Sequence, residues 1–191
     1  MKTQSRYQLL DILANSAKDC QFESLLMKDL LRAAPPRLEV GEAQELVYLD
    51  QRDNVIGFGK LSGPTQSLIT RYDKNGNPGK QMVTLDPGMV GLTASKGGFA
   101  GLAKQTDLNT VRYFDFTGEM AGEARAINPH FVLYVGMDGE KLGTAIIEEH
   151  RVLIMNQDGR YLGRKVTQSK SGLWVALHDA WEMFISFPGA A

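Results

Sequence analysis

The sequence is poor in the residues that most often mark a chemical site. Its 191 residues include one cysteine, Cys20, and three histidines. One cysteine allows neither an intramolecular disulfide bond nor a multi-cysteine metal site, and it suits a reducing compartment. The histidines, His130, His150 and His178, lie far apart in sequence and outside any metal-binding motif. We therefore expect no metal and no other cofactor.

Runs of one charge and long apolar runs are also missing. Lys and Arg number 21 and Asp and Glu number 22, for a net charge of −1. No element carries the basic excess that is usual in nucleic-acid-binding proteins. No apolar run approaches the roughly 20 residues of a membrane helix, and the N-terminus lacks the apolar core of a signal peptide. We expect a cytoplasmic protein that neither binds nucleic acid nor inserts into a membrane.

Catalytic patterns are equally scarce. No serine lies in a GxSxG motif, and no nucleophile, base and orienting residue form a recognisable set. Aspartates could meet in the folded chain, and the candidates are Asp107, Asp115, Asp138 and Asp158. Most of them lie at predicted turns, where aspartate is favoured for its local hydrogen bonds. We predict no catalytic residues and a non-enzymatic protein, with a hydrolase or lyase that uses turn carboxylates as an alternative.

The N-terminal region has the periodicity of helices. Apolar side chains recur at helical spacing within residues 1–34, and two prolines end the pattern because proline lacks the backbone donor. Residues 35–45 indicate a linker. The helical segment presents an apolar stripe of Leu9, Leu13, Leu26 and Leu30. This stripe either packs on the chain's own sheet or binds a partner.

Residues 46–188 consist of repeated hairpins. Turn glycines recur at intervals of 20 or 21 residues, at Gly76, Gly97, Gly118, Gly139 and Gly159. Several follow Asn or Asp, the pairs preferred in tight hairpins. Similar turns at Asp53-Asn54 and at residues 178–180 raise the number to seven, each flanked by apolar runs of strand length. A second glycine four residues later, as at Gly143, indicates a bulge or a close strand approach.

A longer period overlays the short one. Alternate hairpins are the most alike and lie 42 and 41 residues apart, and a unit of two hairpins with this length suggests one four-stranded propeller blade. The segments VRYFDFTGEM (111–120) and VLIMNQDGRYL (152–162) resemble the outer hairpin of NHL-type β-propeller repeats. RYDKNGNPG (71–79) is similar to the tyrosine-aspartate repeats of bacterial toxin shells. The resemblance implies a mainly β fold of about 3.5 propeller-like four-stranded blades behind an N-terminal helical segment.

Such an array is too short to close a propeller, which typically has 4–8 blades. It would close with a second copy or another protein, remain an open arc capped by the helices, or form a barrel or sandwich instead. An open arc exposes sheet edges, which invite pairing with another chain. We therefore predict a scaffold or adaptor in a larger assembly, which binds a protein partner or itself through sheet edges and the N-terminal helices.

Two tryptophans near the last predicted turn are further candidates. Trp174 and Trp181 lie close to Phe184 and Phe187. Aromatic side chains at this density pack a hairpin core, anchor an interface or stack on a sugar. The predicted partner-binding residues are Leu9, Leu13, Leu26, Leu30, Trp174 and Trp181. A carbohydrate-binding module is the alternative that uses the tryptophans.

Overall fold

The computed structural model of the protein describes residues 46–62, 68–94, 97–167 and 170–185. These residues form twelve β-strands and two short helices. The strands are β1 (Leu46–Asp50), β2 (Val55–Ser62), β3 (Leu68–Asp73), β4 (Pro78–Asp86), β5 (Met89–Thr93), β6 (Phe99–Asp107), β7 (Thr110–Asp115), β8 (Met120–Asn128), β9 (Phe131–Gly136), β10 (Lys141–Glu148), β11 (Arg151–Asn156) and β12 (Tyr161–Thr167). The helices are α1 (Gly172–His178) and α2 (Trp181–Phe184). The predicted N-terminal helices and linker lie outside the described residues.

The strands form one closed antiparallel barrel. Each strand pairs with its neighbours in sequence, and β1 closes the ring on β12, from Leu46 opposite Thr167 to Asp50 opposite Gly163. This is an up-and-down barrel, in which closure removes the sheet edges. Six turns, including those at Gly76 and Gly159, lie at one end of the barrel, which we call the glycine end. The connections between hairpins lie at the opposite end.

The mainly β class and the strand positions are confirmed, but the arrangement in propeller-like blades is wrong. The NHL-type resemblance therefore extends to single hairpins and not to the fold. The physical reason lies in the connections between hairpins. Pro87-Gly88, Leu108-Asn109 and Glu149-His150 are two-residue links, too short for the next strand to leave the sheet and start a separate blade. Hydrogen bonding thus continues from hairpin to hairpin until the ring closes.

The prediction of a seventh hairpin around residues 178–180 is also wrong, because α1 and α2 occupy this part of the chain. The hydroxyl of Ser171 accepts a hydrogen bond from the backbone N–H of Trp174 at 3.1 Å and so caps α1. Gly172 lies against Ile147 near the opposite end, whereas Ile185 lies near Gly101 towards the glycine end. The segment of residues 170–185 therefore runs through the barrel from one end to the other. We call it the plug.

The plug fills an interior that the strands could not fill with their own side chains. Twelve strands enclose a wide space, and wide barrels typically hold a ligand, a channel or a plug. Trp181 is fully buried and donates a hydrogen bond from Nε1 to the sulfur of Met82 at 3.1 Å. The hydroxyl groups of Tyr113 and Tyr134 donate to plug carbonyls, those of Leu177 and Ala176, at 2.6 and 2.9 Å. The core of the protein is thus the interface between barrel and plug.

Inward-facing glycines allow close approaches, to the plug at three positions and to the backbone of an adjacent strand alone at Gly57 and Gly163. They are Gly57, Gly101, Gly122, Gly143 and Gly163, one in each even-numbered strand except β4, where Lys80 holds the equivalent position. A Cβ on Gly122 would lie 2.5 Å from the carbonyl oxygen of Val135 and 2.7 Å from Cδ1 of Phe184. The strand register shifts beside Gly122 and Gly163. The predicted bulge and close approach at these glycines are therefore confirmed.

Four of the six turns at the glycine end share one hydrogen-bond scheme. At β3–β4, Oδ1 of Asp73 accepts from the backbone N–H groups of Asn75 and Asn77, and Gly76 adopts a φ of 82°. Asp50, Asp115 and Asn156 have the same role in their turns. These contacts hold the pKa of Asp50 and Asp73 below the ordinary value, because backbone and asparagine side-chain N–H groups stabilise the charged form.

The β9–β10 turn keeps this scheme with a different residue. Gly136 stands where those four turns have Asp or Asn, and the Glu140 carboxylate fills the vacant volume and accepts from the N–H of Asp138 at 3.0 Å. We expect Gly136→Asp and Glu140→Ser to be destabilising singly, since one crowds two carboxylates and the other removes the acceptor. The double variant restores the scheme of the other turns. Thermodynamic double-mutant cycles in urea should give a favourable coupling of about 1 kcal/mol, and additive losses would contradict this account.

Candidate functional site

The structure places the two tryptophans in different environments. Trp181 is enclosed in the core, edge-on to Tyr113 with ring centroids 5.0 Å apart. Trp174 is partly buried and stacks on His178 at 5.1 Å. An enclosed indole offers no surface to a partner or a sugar in this conformation. The role of both tryptophans in partner binding stays a prediction, and the four leucines of the N-terminal stripe lie outside the described residues.

Two of the four candidate aspartates accept local hydrogen bonds in their turns. Oδ1 of Asp115 accepts from the backbone N–H groups of Thr117 and Glu119 and from the Thr117 hydroxyl at 2.6–3.0 Å. Asp138 and Asp158 are exposed on successive turns. Asp107 accepts from the N–H of Asn109 at the opposite end. Asp107 and Asp115 therefore have the structural role that turn chemistry predicts for them. Asp138 and Asp158 contribute their backbone N–H groups to their turns instead.

A cluster of charged and polar side chains lies between the barrel wall and the plug. We call it the charge cluster, and its members are Tyr48, Arg71, Lys165, Asp179 and Glu182. Asp179 is fully buried, accepts a hydrogen bond from the Tyr48 hydroxyl at 2.8 Å, and lies 3.5 Å from both Arg71 and Lys165. Glu182 is half-exposed and lies 2.5 Å from Arg71 and 3.2 Å from Lys165. Lys165 also donates to the backbone carbonyl of Asp179.

The electrostatics of the charge cluster favour its ionised state. Burial alone would raise the pKa of Glu182, but Arg71 and Lys165 hold it well below the ordinary value. Burial would lower the pKa of Arg71, and the two carboxylates raise it instead. Burial raises the pKa of Tyr48, so its hydroxyl stays a donor to Asp179. The cluster therefore acts as two paired cations and anions that attach the plug to β1, β3 and β12.

A pocket of about 200 Å³ adjoins the charge cluster. One wall carries Tyr48, Lys165 and Glu182. The remaining lining is mainly apolar and comes from β1, β2, β11, β12 and the plug, with Leu49, Ile56, Ile154, Leu162 and Met183 among its residues. Ile56 and Leu162 are themselves exposed, so the pocket reaches the surface at the glycine end. It can receive an apolar group that ends beside a polar wall.

Most of the exposed large apolar side chains lie at this end of the barrel. Among the described residues, seven large apolar side chains are exposed, and five of them belong to the glycine end. We call these five the rim arc, and they are Val55, Ile56, Phe116, Met137 and Leu162. Phe116 and Met137 occupy the same position in successive turns and are 70% and 59% exposed. The rim arc and the pocket, which share Ile56 and Leu162, form the candidate site.

The described residues were also compared with the requirements of a metal site and of a membrane-spanning helix. No group of three His, Cys, Asp or Glu side chains within residues 46–62, 68–94, 97–167 and 170–185 is arranged to hold a metal ion. His130 and His150 lie in separate turns, and His178 is buried in α1, where burial lowers its pKa. None of the described helices is long and apolar enough to cross a membrane.

Comparisons with known proteins add no candidate function. The chain matches no protein-family model and no curated protein sequence. Any function must therefore be inferred from the geometry of the site itself.

Sequence reasoning missed both the charge cluster and the rim arc. Arg71 and Lys165 lie in predicted strands, where a charged side chain is usually solvated, and Asp179 lies in a segment predicted to be a turn. One signal was present, since Asp179 and Glu182 stand within an otherwise apolar stretch, from Leu173 to Phe184. Acidic residues in such a stretch indicate buried partners, but they do not identify them.

Proposed function

We propose that this protein is a non-enzymatic interaction module, a scaffold or adaptor, that binds a protein partner with the rim arc and the adjoining pocket. The observation that carries the proposal is the concentration of exposed apolar side chains at one end of the barrel. An exposed aromatic and a methionine on adjacent turns are typical of protein interfaces, where both residue types are enriched. Five of the seven exposed large apolar side chains of the described residues lie at this one end, and such grouping marks interaction sites.

The pocket gives this surface a place to anchor one side chain. Its volume of about 200 Å³ exceeds the roughly 150 Å³ of an engineered cavity that binds benzene. One leucine or phenylalanine of a partner would fit, with its backbone N–H or carbonyl beside Lys165 and Glu182. Interfaces gain most of their affinity from a few such anchors in enclosed pockets.

Other binding routes are less well supported. Partner binding through sheet edges is excluded for the described strands, because the barrel is closed. The interior is occupied by the plug, which leaves the two ends and the outer wall. The carbohydrate alternative is weakened because the indole of Trp181 is enclosed in the core. The hydrolase or lyase alternative is weakened because its candidate carboxylates lie in turns. Cytoplasmic location and the lack of nucleic-acid binding stay predictions.

A pair of matched double variants tests the proposal. We expect Phe116→Ser/Met137→Ser to lower partner affinity by roughly tenfold or more, the change that corresponds to about 1.4 kcal/mol. Leu108→Ser/Ile127→Ser is the control, because these two side chains are equally exposed but belong to the opposite end. Quantitative affinity purification of the tagged full chain would identify the partner, and titration calorimetry with that partner would measure the change.

Two further measurements make the test decisive. Thermal unfolding should show that both double variants are as stable as the parent, since all four side chains are solvent-exposed. Light scattering covers the case in which the partner is a second copy, because the rim variant alone should then lower the molar mass. Equal affinity of the rim variant, the control and the parent would contradict the proposal.

A further inference from the structure

A second apolar cluster lies on the outer wall of the barrel. Side chains alternate along a strand, and Leu102 points away from the interior because its neighbour Ala103 belongs to the core. The register aligns Leu102 with Gly91, and Gly91 with Val83. We call this cluster the outer patch, and it comprises Leu68, Val83, Leu85, Met89 and Leu102, with Phe99 and Phe114 at its margin.

The outer patch is buried although it faces outward. Its five central side chains are 1–8% exposed, and Leu102 is 1% exposed. Neighbours on the wall, such as Leu85 above Gly91, enclose these side chains from the sides, but side chains on a convex face leave their outward tips open. The described helices pack inside the barrel, against β7 to β12, and therefore do not cover β3 to β6. The described helices therefore do not account for the burial of this face.

Buried polar side chains beside the outer patch also indicate that a further segment covers this face. Thr70, Gln81 and Thr93 are neighbours across β3, β4 and β5, and all three are buried. Oε1 of Gln81 has no hydrogen-bond partner among the described residues. Buried acceptors of this kind are normally paired. The covering segment would thus bring a donor as well as apolar side chains.

We propose that residues 1–34 cover the outer patch with the stripe of Leu9, Leu13, Leu26 and Leu30. The described chain begins at Leu46, at the same end of the barrel as Leu68 and Met89. The eleven residues 35–45 span up to about 36–40 Å when extended, at 3.3–3.6 Å each. The path along the wall from β1 to β5 is about 19 Å, at about 4.8 Å per strand. The linker is therefore long enough, and the stripe supplies the apolar face that the patch lacks.

This assignment is independent of the proposed function, which uses the rim arc and the pocket. It places the N-terminal stripe within the chain, where the sequence had predicted that the stripe binds a partner. A second copy or another protein could cover the same face. Burial of the patch within a single chain favours the chain's own N-terminal segment over either of them. The occupant can be identified directly, since the chain has one cysteine, Cys20, and it lies within that segment.

The experiment attaches a nitroxide spin label to Cys20 of the full chain and records methyl NMR spectra. We expect the methyl signals of Val83, Leu85 and Leu102 to broaden until the label is reduced. The signals of Leu153 and Val166, on the opposite outer wall, should stay sharp. Absence of broadening at the outer patch would overturn the proposal.

Two controls separate the alternatives. In a mixture of labelled, NMR-silent chains with unlabelled, methyl-enriched chains, broadening at the patch would identify a second copy and overturn the assignment. In the full chain, Leu26→Ser/Leu30→Ser should abolish most of the broadening and lower Tm by roughly 5 °C. Lys28→Ser/Arg32→Ser, which leaves the stripe intact, should do neither. Equal effects of the two double variants would also overturn it.

Discussion

Replacement of Gly122 by alanine is expected to lower the free energy of unfolding by about 3 kcal/mol or more. The new Cβ would lie 2.5 Å from the carbonyl oxygen of Val135, a backbone atom of the adjacent strand that cannot move without breaking the β8–β9 register. It would also lie 2.7 Å from the ring of Phe184, which stacks on Tyr113 with centroids 4.4 Å apart. The substitution therefore disturbs the wall and the plug together.

Gly139→Ala provides the matched control for this prediction. Gly139 has a φ of 81°, but a Cβ at this position would have no neighbouring atom within 4 Å, so alanine there meets only the conformational cost of about 1 kcal/mol. Urea denaturation followed by tryptophan fluorescence would measure both variants, because Trp181 reports on the plug. Similar losses of unfolding free energy for Gly122→Ala and Gly139→Ala would show that stability does not depend on the close approach of wall and plug at Gly122.

Removal of the Asp179 charge should lower the free energy of unfolding by about as much as Gly122→Ala does. In Asp179→Asn the side chain keeps its shape, but Arg71 and Lys165 retain only the half-exposed Glu182 as a counter-charge. Loss of one member of a buried ion pair typically costs 3–5 kcal/mol, because the remaining charge is left without compensation. We expect a loss of about 3 kcal/mol at neutral pH, measured by urea denaturation.

Glu182→Gln is the control for Asp179→Asn, and pH adds a second readout. Glu182 is half-exposed, so its loss should cost about 1 kcal/mol or less. Its folded-state pKa is lowered from 4.5, so its stabilisation is present above pH 4.5 and is lost as the pH falls through the lower folded value. Glu182→Gln should therefore be less sensitive to acid than the parent. Equal losses for the two variants at neutral pH would contradict a structural role for buried charge.

The local structure could be predicted in some detail. The Asp73 turn is specified within five residues, because one carboxylate accepts from two nearby N–H groups and Gly76 adopts a positive φ. The twelve strands follow from apolar runs between such turns. Periodicity failed at Leu173–Leu177, where short apolar runs are compatible with either a strand or a buried helix. The cap at Ser171 and the enclosed interior decide in favour of the helix.

The candidate site could be predicted only in fragments. Phe116 and Met137 fall on correctly predicted turns, yet no local pattern shows that the barrel brings them to the same end as the pocket. Asp179 was assigned to a turn, and its partner Tyr48 lies 131 residues away. No spacing in the sequence marks such a pair, because the residues between them contribute nothing to its geometry.

Turn type, strand length and the 21-residue period follow from interactions between residues that are close in the chain, and the sequence was sufficient to predict them. Whether the strands closed into a ring was a different question, because an open arc and a closed barrel have the same local pattern. Closure required Leu46 to pair with Thr167 across β1 and β12. It also required space for the plug beside the inward-facing glycines, and ion pairs between Asp179 and the side chains of Arg71 and Lys165. Only the tertiary structure decided these pairings, since each joins residues that local propensities leave independent.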